Sequence, residues 1–382
     1  MTDDDREITR HSSVADSADR QDVEPEEVTG EDAIQHLFDP TLIRVETLPV
    51  TINLLLSRIE EGEIDLSPAF QRKAGIWSEQ AQSRSIESLL MRIPLPALYM
   101  DGTNEDKWVV VDGLQRLTTL KRFVLDKDLT LSGLEFLTNF KDYTYSELPR
   151  NFQRRIQETQ LTVYLISRGT TDQVKFTIFR RINTGGKPLS PQEIRHALNQ
   201  GKSTQLLEEL AQTSEFYRAT AGGVADDRMD DRELVLRFLA FTIKHYREYT
   251  VQDFDAFLNH SMRTINELSD AEIMNLKEQF KRAMRAAESI FGNNAFRKWY
   301  REDDRRKSIN KSLFEAWSVN LNGLTDEQLA TVMSRAQQVQ RQFMELMNDR
   351  DFDTAISQGT GDVAKVRRRF ERIQQLLQEV LT

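Results

Sequence analysis

The sequence predicts an α+β protein, with a small sheet-containing N-terminal domain followed by a mostly helical C-terminal domain. Three observations carry that reading. Short runs with strand character, Ala97–Met100, Trp108–Val111 and Leu161–Ile166, are confined to the part of the chain before Phe176. From Asp230 onward, apolar residues recur almost wholly at three- and four-residue spacing, the pattern of buried helix faces. Between these regimes, Lys107–Phe123 changes period within a few residues. The run Trp108–Val111 gives way over Asp112–Gly113 to Leu114, Leu117, Leu120 and Val124 at helical spacing.

Taken in order, residues 1–33 are acidic, polar and free of aromatics, which predicts a disordered tail. The sheet-containing domain is expected over 34–225 and the helical domain over 226–382. Ile34, Leu37 and Phe38 give the first helical spacing, Leu48–Ile59 reads as a short helix ending near Gly62, and Ile64–Leu66 as a brief strand cut off by Pro68. Ser78 is expected to cap a helix that buries Ile86, Leu89, Leu90 and Ile93 and stops before Pro94 and Pro96. Ala97–Met100 and Trp108–Val111, joined by the polar turn Asp101–Asp106, read as a hairpin. Val174, Ile178 and Ile182 mark a helix ended by Asn183-Thr184-Gly185-Gly186. Ser190, Pro191 and Glu193 then combine an N-cap, a first-turn proline and a capping box.

In the helical region, Ser269 with Glu272 and Thr325 with Gln328 are two more capping boxes. One helix is expected to run from Asp326 through Leu346, with Leu329, Val332, Ala336, Val339 and Phe343 inward; the last helix carries Val363, Val366, Phe370, Ile373, Leu377 and Val380. Such spacing suits an antiparallel pair within the chain, or a homodimer through these C-terminal helices.

The bulk numbers exclude several classes. At 382 residues the chain is long enough for two domains with real cores, and 39% hydrophobic with 29% charged residues is an ordinary globular balance. No apolar run approaches the ~18–20 residues that span a bilayer, and the start lacks a basic stretch followed by an apolar one. The absence of cysteine excludes disulfides, thiolate zinc sites and a cysteine nucleophile. Together these predict a cytoplasmic protein. A net charge of −10 argues against coating nucleic acid by bulk charge, but most of that excess sits in the tail and leaves the rest close to neutral.

Lys107–Phe123 is the stretch with the most chemistry in it. A strand that turns over Asp-Gly into a helix leaves the first helical N–H groups unpaired, and with Gln115 and Arg116 in the first turn they suit an anion such as a phosphate. The purely structural alternative makes Asp112 an N-cap, with Gln115 closing a capping box. The loop Asn183–Lys187 similarly presents backbone N–H groups and Lys187 to a ligand, or is a plain connector. Arg367, Arg368, Arg369 and Arg372 make either a solvated face or a nucleic-acid contact. Asp226, Asp227, Asp230 and Asp231 suit magnesium, or simply a solvated loop entering an acidic first helical turn. Other chemistry is missing. His11, His36, His196, His245 and His260 lack metal-ligand spacing, and there is no P-loop, dinucleotide glycine fingerprint or Gly-x-Ser-x-Gly elbow.

Three blocks in order carry a family resemblance: Pro68-Ala69-Phe70-Gln71-Arg72 with Trp77, Val111–Leu120, and Phe179–Ser190. Over roughly 40–245 they resemble the N-terminal domain of the GmrSD-type modification-dependent restriction endonucleases, a family related to the ParB and sulfiredoxin nucleotide-binding folds with an Asp-Gly-Gln-Gln-Arg signature. The resemblance implies a small mixed-sheet domain that binds a nucleoside triphosphate with Mg2+, within prokaryotic defence against foreign DNA. Carried over, Asp112, Gln115 and Arg116 form the phosphate-holding, candidate NTPase turn with Gly113. Gln71, Arg72 and Asn183 join the same pocket, with Thr184, Gly185 and Lys187 of the adjoining loop. Leu114 stands where the family has glutamine, a departure that bears on hydrolysis more than on binding. The family's C-terminal His-Asn-His nuclease domain is replaced by helices, so DNA cleavage is expected of a separate nuclease or defence subunit. The alternative is a non-catalytic DNA-binding or regulatory module, with Arg72, Arg116 and Lys187 on DNA phosphates.

Overall fold

A computed structural model describes residues 23–26, 44–66, 77–182, 189–222, 224, 228–250 and 253–382. The first part of the chain runs β1 (Val45–Thr51), α1 (Ile52–Glu60), β2 (Ile64–Asp65), α2 (Glu79–Leu90), β3 (Leu98–Asp101), β4 (Trp108–Asp112), α3 (Leu114–Leu120), α4 (Arg150–Glu158), β5 (Gln160–Ile166), α5 (Asp172–Ile182) and α6 (Pro191–Leu198). Helix α3 continues into a π-helical turn, Lys121–Asp126. The strands form one sheet in the order β1-β5-β3-β4-β2. β1 is antiparallel to β5 and β3 to β4, whereas β3–β5 and β2–β4 are parallel, so the sheet is mixed.

Strand periodicity sorts the sheet's side chains onto two covered faces. Leu98, Met100, Val110, Leu161, Val163 and Leu165 join the core made with α1 to α4. Tyr99, Val111 and Ile166 point the other way, into a smaller cluster with Phe176, Phe179 and Ile194 of α5 and α6. The expected hairpin is present as β3–β4.

One expected element changes type. Leu48–Thr51 is strand, not helix, because Val45–Thr51 pairs residue for residue with Ile166–Gln160. The helix begins only at Ile52, where the Thr51 hydroxyl accepts the Leu54 N–H at 3.3 Å. Backbone pairing along β5 outweighs a weak helical spacing.

The rest is helical: α7 (Lys202–Ala211), α8 (Ser214–Ala219), α9 (Asp230–Ile243), α10 (Phe254–Glu267), α11 (Asp270–Phe291), α12 (Lys311–Asn322), α13 (Asp326–Ser334), α14 (Ala336–Met347), α15 (Arg350–Ser357) and α16 (Val363–Leu381). One core runs through these helices from Leu206 to Val380. The capping boxes at Ser190, Ser269 and Thr325 form as the sequence predicts. The long helix expected from Asp326 is broken at Arg335 (φ −101°, ψ 27°), whose guanidinium donates to the Val380 carbonyl. The break lets α13 and α14 each pack on both α11 and α16. Val366, Phe370, Ile373 and Val380 of α16 are fully buried in the chain's own core.

Charged groups are also buried among these helices. Arg369 of α16 and Glu315 of α12 are both fully buried and hydrogen-bonded to each other. Arg237 of α9 lies between Glu233 and Glu315, with its guanidinium 4.7 Å from the centre of the Phe254 ring. Within the stretch read as a disordered tail, Val23–Glu26 lies against this region, and Val23 bridges to Ile309. No described helix is long and apolar enough to cross a membrane.

Candidate functional site

The sheet delivers Asp112 to the end of β4, opposite Tyr99 of β3. Gly113 then reverses the chain in the left-handed region (φ 103°, ψ 7°) and stands at the N-cap of α3, with no side-chain cap. A Cβ there would lie 2.2 Å from Leu98 Cδ2, so the turn needs glycine for both conformation and space. The capping-box alternative is therefore not built. Asp112 Oδ2 instead accepts from Arg116 Nη2 at 2.8 Å, and Gln115 Oε1 accepts the Trp77 N–H at 3.2 Å. Leu117 N bonds Gly113 O at 3.0 Å, so the N–H groups of Leu114, Gln115 and Arg116 form the open end of the helix.

Arg116 is largely buried. Its Nη1 donates to the carbonyls of Pro96 and Ala97 while Nη2 holds Asp112, which locks the turn against the segment leading into β3. Burial pulls the guanidinium below its usual range and the Asp112 carboxylate pulls it back up, and it remains a cation. The arrangement is that of a positioning residue, with its donors spent inside the protein.

Two tyrosines that sequence reasoning did not single out line the same place. Tyr99 and Tyr164 stack with ring centres 4.9 Å apart. The Tyr99 hydroxyl is held above its usual range by burial, then by Tyr164 and Asp112, with Arg116 opposing. Their one signal in the sequence was Tyr99's place opposite Asp112 in the hairpin. Trp77 was also missed as a junction. Its carbonyl accepts from Gln82 Nε2 at 2.8 Å, and Gln82 Oε1 accepts from Arg122 Nη1 at 2.9 Å, tying it to α2 and the π-helical turn.

The other expected site residues, Gln71, Arg72, Asn183, Thr184, Gly185 and Lys187, lie outside the described residues. The flanks of those segments are described; one bonds the turn and the other packs on the sheet face beside it. Trp77 bonds Gln115, and Leu189 packs with the cluster containing Val111.

Of the acidic run read as a candidate magnesium site, Asp226 and Asp227 also lie outside the described residues. Asp230 pairs with Lys311 at 3.1 Å. The arginine cluster of α16 is split: Arg369 turns inward to Glu315, while Arg368 and Arg372 pair with Asp351 and Asp349. His196 is buried and its pKa is lowered to about 4 by desolvation and then by Arg232.

A cavity of about 730 Å³ opens at the other end of the sheet, beside Arg44, Arg58, Arg168 and Trp108. Trp108 is four residues from Asp112, so ~13 Å of strand separates the cavity from the turn. Its arginines are balanced by Glu46, Glu63, Glu105 and Asp106, and Arg58 covers the Trp108 ring at 4.1 Å. That lining is a poor match for a polyanion, so the turn and not the cavity is the candidate anion site.

No curated protein matches the chain. Residues 52–199 match the family model of the GmrSD restriction endonuclease, N-terminal domain, a span that takes in α1 through α6 and the Asp112–Arg116 turn. Over this stretch the chain is therefore similar to the N-terminal domain of the GmrSD restriction endonucleases.

Proposed function

We propose that the Asp112–Arg116 turn binds a nucleoside triphosphate with Mg2+, and that the chain is the nucleotide-binding component of a prokaryotic restriction system whose DNA-cutting step belongs to another chain. The observation that carries this reading is the uncapped start of α3 at the left-handed Gly113, where three backbone N–H groups and the helix dipole are available to an anion. Arg116 and Asp112 hold the turn rigid and Gln115 anchors Trp77. In this reading the cations that meet the phosphates are Arg72, on the segment whose flank Trp77 bonds Gln115, and Lys187, on the segment whose flank Leu189 packs with the cluster containing Val111. Asp112 and Gln115 already hold protein partners, so the proposal is of binding, with hydrolysis a separate step.

Calorimetric titration with each of the four triphosphates plus magnesium tests this. At least one is expected to bind at sub-millimolar concentration. Arg72→Ala or Lys187→Ala should each weaken it by about 1.5–3 kcal/mol, roughly ten- to more than a hundredfold, the scale of a hydrogen bond to a charged group. Absence of binding at millimolar triphosphate defeats the reading. Salt-steep duplex-DNA binding that ignores triphosphate and is lost in the same variants favours DNA phosphates in its place.

A further inference from the structure

The acidic N-terminal stretch holds a second, independent feature. Val23–Glu26 lies in a cleft of the helical region between α9, the segment leading into α12 and the segment leading into α16. Val23 bridges to Ile309 in parallel while Arg297 bridges the same residue in antiparallel fashion, and Glu24 N donates to Ile309 O at 2.8 Å. The Val23 side chain packs on the helical core. Extended backbone turns residues two apart to the same side, and here both carboxylates find built partners. Glu24 accepts from Lys298 Nζ at 2.7 Å and from Asn310 Nδ2 at 3.0 Å. Glu26 receives both terminal nitrogens of the buried Arg237, and Thr360 Oγ1 donates to it at 2.7 Å.

Asn310 and Arg237 are almost fully buried, and each is also fixed from behind, Asn310 on the Ile356 carbonyl and Arg237 on Glu233 and Glu315. The recognition elements thus belong to α9 and to the segments leading into α12 and α16, and Asn310 and Arg237 are held in place by partners other than the tail. Burial by itself would raise the Glu26 pKa, but Arg237 and Lys311 bring it below the ordinary carboxylate value, so the tail binds as an anion.

We propose that this cleft is a binding site for short extended acidic peptides of the pattern apolar–Glu–x–Glu, which the chain fills in cis with Val23–Glu26 and which the same pattern supplied in trans displaces. Recognition is by strand addition to Ile309, with two carboxylate sockets one residue apart setting specificity. Val23–Glu26 is thereby clamped to the helical region by contacts that any chain of this pattern reproduces.

Because the chain contains no cysteine, a single fluorophore on Gln21→Cys in the otherwise intact protein reports the tail alone. Its anisotropy should be high in the parent chain and low in a Glu24→Gln/Glu26→Gln version, with Lys298→Glu giving an intermediate value. A synthetic peptide of residues 20–29 should lower the parent's anisotropy at least halfway to the double-variant value. The same peptide with glutamine at both positions should need at least tenfold more. Equal anisotropy in the parent and double-variant chains overturns the proposal. So does failure of millimolar peptide to displace the tail, equal potency of the two peptides, or displacement by single-stranded DNA in preference to peptide.

Discussion

Replacing Gly113 by alanine tests the geometry of the turn most directly. The residue sits at φ 103°, and a Cβ would meet Leu98 Cδ2 at 2.2 Å. Left-handed backbone costs an L-residue about 1–2 kcal/mol. Leu98 is fully buried, so its methyl can yield only by overpacking its neighbours, a further ~1–3 kcal/mol. The sum, about 2–5 kcal/mol, is a large share of the ~5–15 kcal/mol that holds a typical domain folded. With a urea m-value of about 2 kcal/mol/M, the N-terminal domain's midpoint should fall by about 1–2.5 M. Leu98→Val removes the clashing methyl and by itself should cost about 1 kcal/mol. The double variant should therefore be more stable than the two single effects predict, with a coupling of about 1–2 kcal/mol. Urea unfolding followed by tryptophan fluorescence, with Trp77 and Trp108 in this domain, measures all four proteins. A midpoint shift below about 0.3 M for Gly113→Ala, or strict additivity in the cycle, refutes the close approach of the turn to β3 and with it the reason for glycine there.

Two further outcomes follow from the buried polar groups. His196, with its pKa lowered from 6.5 to about 4, is buried neutral, so the unfolded state takes up a proton that the folded state refuses. Stability is full above about pH 6.5 and falls as the pH drops toward 4, by at most about 3 kcal/mol for a shift of this size; His196→Gln should flatten that part of a midpoint-against-pH curve. Arg369→Met leaves Glu315 buried without its nearest cation and should cost about 3–5 kcal/mol, whereas Arg369→Met with Glu315→Leu should recover more than half. Thermal melts of the three proteins compare them; Arg237 keeps Glu233 and Glu26 when Glu315 is removed, and no recovery in the double variant would contradict Arg369 as the main partner of Glu315.

Local chemistry made much of this fold legible. Ser78, Ser190, Ser269 and Thr325 cap helices because a hydroxyl and a backbone N–H a few residues apart suffice to form a cap. The β3–β4 hairpin and the turn into α3 were readable from alternation and from Asp112–Gly113 for the same reason, and the matched family span confirms the resemblance that the three sequence blocks carried. Whatever depends on partners distant in the sequence was not readable. Thr47 and Leu48 are strand only because Tyr164 and Val163 lie alongside. Asp112 gave up the N-cap role because Arg116 and the Pro96–Ala97 carbonyls closed on each other across the turn. Arg369 left its solvated neighbours because Glu315 waits inside. The sequence by itself determined the α+β order, the caps and the glycine turn, since each is settled by residues within a few positions of one another. Only the tertiary structure decided which charges are spent inside and that Val23–Glu26 reaches Arg237, because a carboxylate more than two hundred residues away leaves no local trace.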